Sequence, residues 1–141
     1  QVFPIEFASE YYDQYIDLRS RILREPLNLT FGVKELSDES EMFLFGVYDQ
    51  GKIIGCFVLV DLGNGEVKMR QVAVDEAFQN QGLGTLMVKY CEAWSRINNY
   101  KKIVLNARCT AVRFYEKNAY SKIGKEFQEV GIPHQKMQKK L

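Results

Sequence analysis

Residues 67–98, VKMRQVAVDEAFQNQGLGTLMVKYCEAWSRIN, restrict the possible fold more than any other part of the chain. Val67, Met69, Val72, Ala73 and Val74 read as a β-strand, residues 75–81 as a polar connection, and the residues beyond Gly82 as a helix. Leu83, Leu86, Met87, Tyr90, Cys91, Trp94 and Ile97 recur at three- or four-residue steps and form one apolar stripe, which must lie on a core. At the helix start Gly82 and Gly84 remove side chains just where main-chain N–H groups are unpaired, so a bulky ligand can reach the backbone.

Unpaired amides and the positive end of the helix dipole favour a phosphate or pyrophosphate at that position. Two common phosphate loops are excluded by spacing. A Walker loop requires a lysine that is absent between Gly82 and Val88, and a dinucleotide fingerprint requires glycine or alanine where Met87 stands. Close helix–sheet packing is the other use a chain can make of two such glycines. What remains is Gln79-Asn80-Gln81-Gly82-Leu83-Gly84, the pattern (Gln/Arg)-x-x-Gly-x-(Gly/Ala) between a strand and a helix.

This pattern resembles the acetyl-CoA-binding motif of the GNAT superfamily of N-acetyltransferases. The resemblance extends over residues 42–141 and is also carried by VAVD at 72–75, by LNA at 105–107, and by RFYEKNAY at 113–120, which is similar to an FYxxxGF ending with Ala119 in place of the usual glycine. Residues 127–137, with Gly131-Ile132-Pro133-His134, are similar to the ending of the ElaA-like branch.

With 141 residues, 46% of them hydrophobic, the chain is sized for a single acetyltransferase-like domain over residues 1–141. A net charge of +1 from interspersed residues excludes the field needed for non-specific nucleic-acid binding. Cys56, Cys91 and Cys109 are odd in number and widely spaced, which argues against a disulfide framework and a four-ligand metal site and for a reducing compartment. No signal peptide or membrane-length apolar run is read, so the expectation is a cytoplasmic protein with no membrane partner.

Residues 2–7 read as a first strand, and Ser9 as the N-cap of a helix that runs to about Arg24 before Pro26 stops it. Residues 27–40 lack a period, a property of segments that carry substrate contacts or a short helix. Strands at 42–48 and 52–61 are joined by Asp49-Gln50-Gly51, which has hairpin-turn chemistry. Past the long helix come a strand at 101–107, a short helix at 110–118, and a terminal hairpin of 121–127 with 134–141. The order predicts an α/β (α+β) domain: a mixed, mostly antiparallel central sheet of about six or seven strands flanked by helices. The strands before and after the glycine helix are expected to be parallel, because a helical crossover joins them.

Members of the superfamily splay this parallel pair, and the opening takes the pantetheine arm of acetyl-CoA as cosubstrate. On this chain the resemblance assigns the diphosphate to Gln79, Asn80, Gln81, Gly82, Leu83, Gly84 and Thr85, and the arm to main-chain groups of Val72, Ala73 and Val74 with the Asn106 side chain. One amide beside a strand bulge would polarise the thioester carbonyl. Tyr115 is the candidate acid for the leaving thiolate and touches the coenzyme; a phenol near pKa 10 donating to a thiol near 8.5 is uphill by roughly 2 kcal/mol in water, small beside a chemical barrier. Tyr115 as a plain core aromatic, and Asn106 as a strand-end residue satisfied by a turn, are the competing assignments.

Many members place a glutamate on the fourth strand as base, whereas this chain offers Lys68, Arg70 and Gln71 there. His134, the only histidine, is the second catalytic candidate, with a structural polar role as its alternative. Among acids that could hold a cationic acceptor, Glu129 is preferred, and the cluster at residues 38–41 is expected to be a solvated helix start. The resemblance thus implies direct acetyl transfer to the amine of a small molecule or peptide, without relay through Cys109, by a protein of a kind in which homodimers are common. A non-catalytic acyl-CoA-binding or sensing module on the same fold is the alternative.

Overall fold

A computed structural model describes residues 1–141. Its seven strands are β1 (Val2–Pro4), β2 (Phe43–Asp49), β3 (Lys52–Gly63), β4 (Glu66–Val74), β5 (Lys102–Arg108), β6 (Ser121–Glu129) and β7 (Ile132–Lys140), in the sheet order β1-β2-β3-β4-β5-β7-β6. Every neighbouring pair is antiparallel except β4 and β5, the pair joined by the helical crossover. Gln50 and Gly51, both at positive φ, turn β2 into β3, and Val130 and Gly131 do the same between β6 and β7. Asn64 and Gly65, also at positive φ, turn β3 into β4, and in all three hairpins this backbone twist matches that of the flanking strands.

Helices cover the two faces unequally. On one face lie α3 (Leu83–Ile97) and α4 (Val112–Lys117), over a core that includes Phe57, Val67, Met69, Met87, Cys91 and Leu105. On the other, α1 (Glu10–Arg19) packs Tyr12, Tyr15 and Leu18 onto Leu44, Cys56, Val58 and Ala73. The short α2 (Val33–Ser37) and a 3-10 turn (Asp38–Glu41) occupy the segment that shows no period in sequence. No helix is long and apolar enough to cross a membrane.

Three details depart from the sequence expectations. The first helix is regular only to Arg19, widens into a π turn (Ser20–Arg24), and ends in a 3-10 turn (Glu25–Leu27) that contains Pro26, which cannot donate to a helical ladder. Ser9 stands at the N-cap but its side chain makes no capping bond. The stripe of α3 is also rotated: Leu86 and Ile97 are exposed, while Val88, Glu92 and Ser95 are buried. Burial of Glu92 is compensated by Lys139 Nζ and the Tyr120 hydroxyl, both donating at 3.1 Å.

The third departure is Glu39. It is not solvated but buried, accepting from both terminal nitrogens of the fully buried Arg19 at 2.8 and 2.5 Å and from the Tyr12 hydroxyl at 2.8 Å. This bidentate pair ties α1 to the 3-10 turn that follows α2. Removing one partner of a buried pair leaves an uncompensated charge, so Glu39→Ala is expected to lower unfolding free energy by about 3–5 kcal/mol. Replacing both residues by apolar ones of similar volume, as in Arg19→Met with Glu39→Leu, should cost less than the single change in urea denaturation.

Candidate active site

β4 and β5 are paired only from Glu66–Lys102 to Met69–Leu105. Beyond Met69 the strands part, and residues 106–108 of β5 continue to pair with β7 alone. The parting coincides with a bulge. Cys56 lies opposite Ala73 and Val58 opposite Arg70, so three steps along β4 oppose two along β3, and Gln71 takes φ 54°. Such a bulge twists its strand and re-aims its main-chain groups, and a non-glycine residue in that region stores roughly 1–3 kcal/mol of strain.

Side chains from α1 and β3 brace this distortion. The Tyr15 hydroxyl donates to the Phe57 carbonyl at 2.7 Å, on the one β3 residue the bulge leaves without a β4 partner, and Cys56 Sγ donates to the Gln71 carbonyl at 3.5 Å. Burial keeps both groups protonated, the tyrosine well above its ordinary value and the thiol pushed up to about 12. They are therefore fixed as donors.

Past Val74 the chain is pinned by Asp75, a residue sequence reasoning passed over as part of a polar connection. It is buried, accepts from the Ala77 amide at 3.0 Å, and faces Lys52 at 3.3 Å and Arg21 at 3.4 Å. The Ala77 N–H, with these two cations, holds its carboxyl below the usual range despite burial. The signal was available: an aspartate two residues before an amide at a strand end is a standard turn former.

The amides of residues 81–85 have no acceptor within the protein, and Gln81, Gly82 and Thr85 are exposed. Gly82 has φ 83°, and a Cβ placed on it would meet no atom within 4 Å. Gly84 differs, because its Cβ would lie 3.1 Å from the Phe114 ring. Gly82 thus holds a left-handed turn open to solvent, whereas Gly84 serves the packing of α3 on α4. Asn80 also takes a left-handed conformation, Gln81 Nε2 donates to the Ala77 carbonyl at 3.4 Å, and Gln79 Nε2 donates to the Val74 carbonyl at 3.1 Å. A helix start with free, exposed amides is suited to an anion such as a diphosphate.

Tyr115 lies in the same apolar cluster as Leu105 and Ala107 of β5, with Val72, Val74, Leu83 and Phe114 packed against it. Its ring is buried, but its hydroxyl bonds to no protein group and is not sealed from solvent. Burial, with Cys91 alongside, raises its pKa well above 10, so the phenol stays protonated across the neutral and alkaline range. Ala73 points to the opposite face, into the α1 core.

Asn106 and His134 are also on that opposite face. Val104, Asn106 and Arg108 alternate along β5 with Ile103, Leu105 and Ala107, which face α3 and α4, and Asn106 pairs with Lys136 and Arg108 with His134. The Asn106 side chain donates to Glu129 Oε1 at 3.2 Å rather than to a turn. His134 is buried, its Nδ1 2.8 Å from the Ile132 carbonyl and its Nε2 3.5 Å from Glu129 Oε2. The structure therefore gathers Tyr115, Val72, Val74 and the Gly82 turn on the helix-covered side, and Asn106, Glu129 and His134 on the other. The Cys109 thiol is raised by burial and Glu126, which disfavours it as a nucleophile.

Comparison with known proteins places this arrangement. The sequence profile described as "Acetyltransferase (GNAT) domain" matches residues 28–141. The chain is 32% identical over 108 residues to the uncharacterized N-acetyltransferase YjcF of Bacillus subtilis (strain 168), an alignment covering 76% of this chain and 75% of that protein. Its fold is similar to a GNAT family acetyltransferase from Elizabethkingia anophelis solved with acetyl-CoA bound (TM-score 0.75, 23% identity, 100% of this chain and 97% of that one). It is likewise similar to Escherichia coli ElaA (TM-score 0.80, 17% identity, 98% of each chain).

Cys56 and Cys91, both raised from 9.0 to about 12, ionise more readily in the unfolded chain. Their contribution to stability is therefore expected to be constant below pH 9 and to fall as pH climbs from 9 towards 12, with the slope reduced in Cys56→Ala. At pH 8 a disulfide-exchange reagent should label Cys109 in native protein, more slowly than a free thiol because its pKa is raised, and the other two only after unfolding.

Proposed function

The chain belongs to the GNAT acetyltransferase family, and on that premise we propose that it transfers an acetyl group from acetyl-CoA directly to an amine of a small molecule or peptide. The observation that carries this reading is the coincidence of three features at one end of the sheet: the parted β4–β5 pair, the bulge at Gln71, and the free amides at the start of α3. Their chemistry fits a long ligand with an anionic diphosphate and an amide-containing arm.

In this reading the amides of Gln81, Gly82, Leu83, Gly84 and Thr85 hold the diphosphate, with Asn80 shaping the turn. Main-chain groups of Val72 and Val74 pair with the arm as a strand would. Gln79 holds the Val74 carbonyl and exchanges that bond for the arm. An amide at the bulge donates to the thioester oxygen as negative charge develops there, a role of electrostatic preorganisation. The coenzyme supplies the activated acetyl group.

Tyr115 donates its hydroxyl hydrogen to the departing sulfur. Its raised pKa does not oppose this, because the same low-dielectric surroundings also raise the pKa of a thiolate lodged against it. On the acceptor side Asn106 orients Glu129, and His134 acts through Glu129 as a positioning residue. The one glutamate of β4, Glu66, stands at the start of the strand and pairs with Lys102, so the amine loses its proton to water that enters from the open face. That open face, and the free Tyr115 hydroxyl, favour catalysis over a non-catalytic acyl-CoA sensor. Three free cysteines suit a reducing, cytoplasmic location.

Acetyl-CoA at 100 times its Kd should stabilise the chain by about 2.7 kcal/mol, read as a rise in melting temperature. Gly82→Val should abolish that rise relative to the variant's own melting point. With an acceptor found by following release of the CoA thiol across an amine panel, Tyr115→Phe should lower kcat at least tenfold while the KM for acetyl-CoA stays within twofold. Unchanged turnover in Tyr115→Phe would remove the acid role, and no melting shift would remove the coenzyme assignment.

A further inference from the structure

The open face beside the parted strands holds a groove of about 430 Å³ whose walls include Lys68, Lys125, Lys136, Asn106, Ile123 and Phe127. Its charge is unbalanced. None of the three lysines forms an ion pair, and one of them, Lys68, is half-buried, a depth at which most of the chain's other cations are paired. The net charge of the whole chain is only +1, so this is a local concentration and not a reflection of general basicity.

One of these lysines is placed there by a built device. β6 carries four steps from Ile123 to Phe127 against two on β7, from Lys136 to His134, with Gly124 at φ 71°. The buried Gln135 amide fills the bulge, donating to the carbonyls of Ile123 and Gly124 at 3.0 and 3.1 Å. A bulge of this kind re-aims a side chain, here Lys125 into the groove. Lys68 is half-buried, and burial together with Arg70 and Lys136 lowers its pKa against the opposing pull of Glu129, as expected where like charges outnumber their counter-ion. At the groove's edge the sole opposing charge is Glu129, tied to Asn106.

Resting on the acetyl-transfer reading above, we propose that the acceptor is a small amine bearing an anionic head, a carboxylate or phosphate. The head sits on Lys68, Lys125 and Lys136, an apolar body lies against Ile123 and Phe127, and the amine is directed to Glu129 and the parted strands. A cationic or neutral amine gains nothing from the three lysines, and a polyamine is repelled by them.

The test uses product-like ligands, so that it does not depend on turnover. Matched pairs are titrated calorimetrically into the full chain: N-acetyl amino acids against their primary amides, and N-acetyl-O-phosphoethanolamine against N-acetylethanolamine. Within the tightest pair the anion is expected to bind at least tenfold more strongly, and the identity of that pair separates carboxylate from phosphate. In Lys125→Gln with Lys136→Gln, both exposed positions, the preference should fall below threefold with the melting temperature retained. Neutral members binding as tightly as the anions, no member binding at millimolar concentration, or a preference that survives the double change would overturn the proposal. An acetyl-CoA melting shift measured on the same wild-type sample reads the coenzyme assignment separately, since the titrations contain no coenzyme.

Discussion

Everything at the site depends on a set of hydrogen bonds that β4 and β5 do not make. A parallel pair that continued past Met69 and Leu105 would close the sheet, consume its main-chain donors, and leave no route between its faces. The pair parts because β5 keeps its ladder with β7 while β4 is bent away by the bulge at Gln71. Buried main-chain groups must be satisfied, so such an opening is tolerable only where solvent or a ligand can reach it.

The distortion is held from beneath by polar groups in an otherwise apolar layer. Tyr15 bonds to the carbonyl freed opposite the bulge, Cys56 donates to Gln71, and the Arg19–Glu39 pair locks the helix that carries Tyr15. Burying an ion pair contributes little net stability, but it penalises any arrangement in which α1 sits elsewhere. The apolar core alone would allow small shifts of α1 over β2 and β3. The polar contacts do not, and the bulge amide depends on that precision.

The two sides of the opening have opposite character. On the side of α3 and α4, free amides and apolar residues meet the buried Tyr115 ring; on the other, lysines and one carboxylate stand around a partly apolar groove. A donor that enters from the first and an acceptor from the second can meet only at the gap. The direct transfer proposed above uses this division, and Cys109, with its raised pKa, takes no part in it.

The strand, glycine turn and helix at 67–98, the turn at 49–51 and the parallel pair could be read from sequence, because each is encoded by a local period or by residues whose backbone preferences are intrinsic. The same reading misjudged the face of α3, since Glu92 is buried by partners on β7 and in Tyr120, the residue that precedes β6. It treated Gly82 and Gly84 alike, although only the fold brings Phe114 against the second. It left Glu39 in solvent, where the structure pairs it with Arg19, and it did not foresee the bond from Asn106 to Glu129. The sequence by itself determined the order of elements and the position of the glycine turn before α3, because these follow from short-range periodicity and main-chain geometry. Tertiary structure alone decided which charges are paired and which are left free, and on which face each side chain acts, because those outcomes depend on contacts between residues some 20 or more positions apart that leave no local pattern.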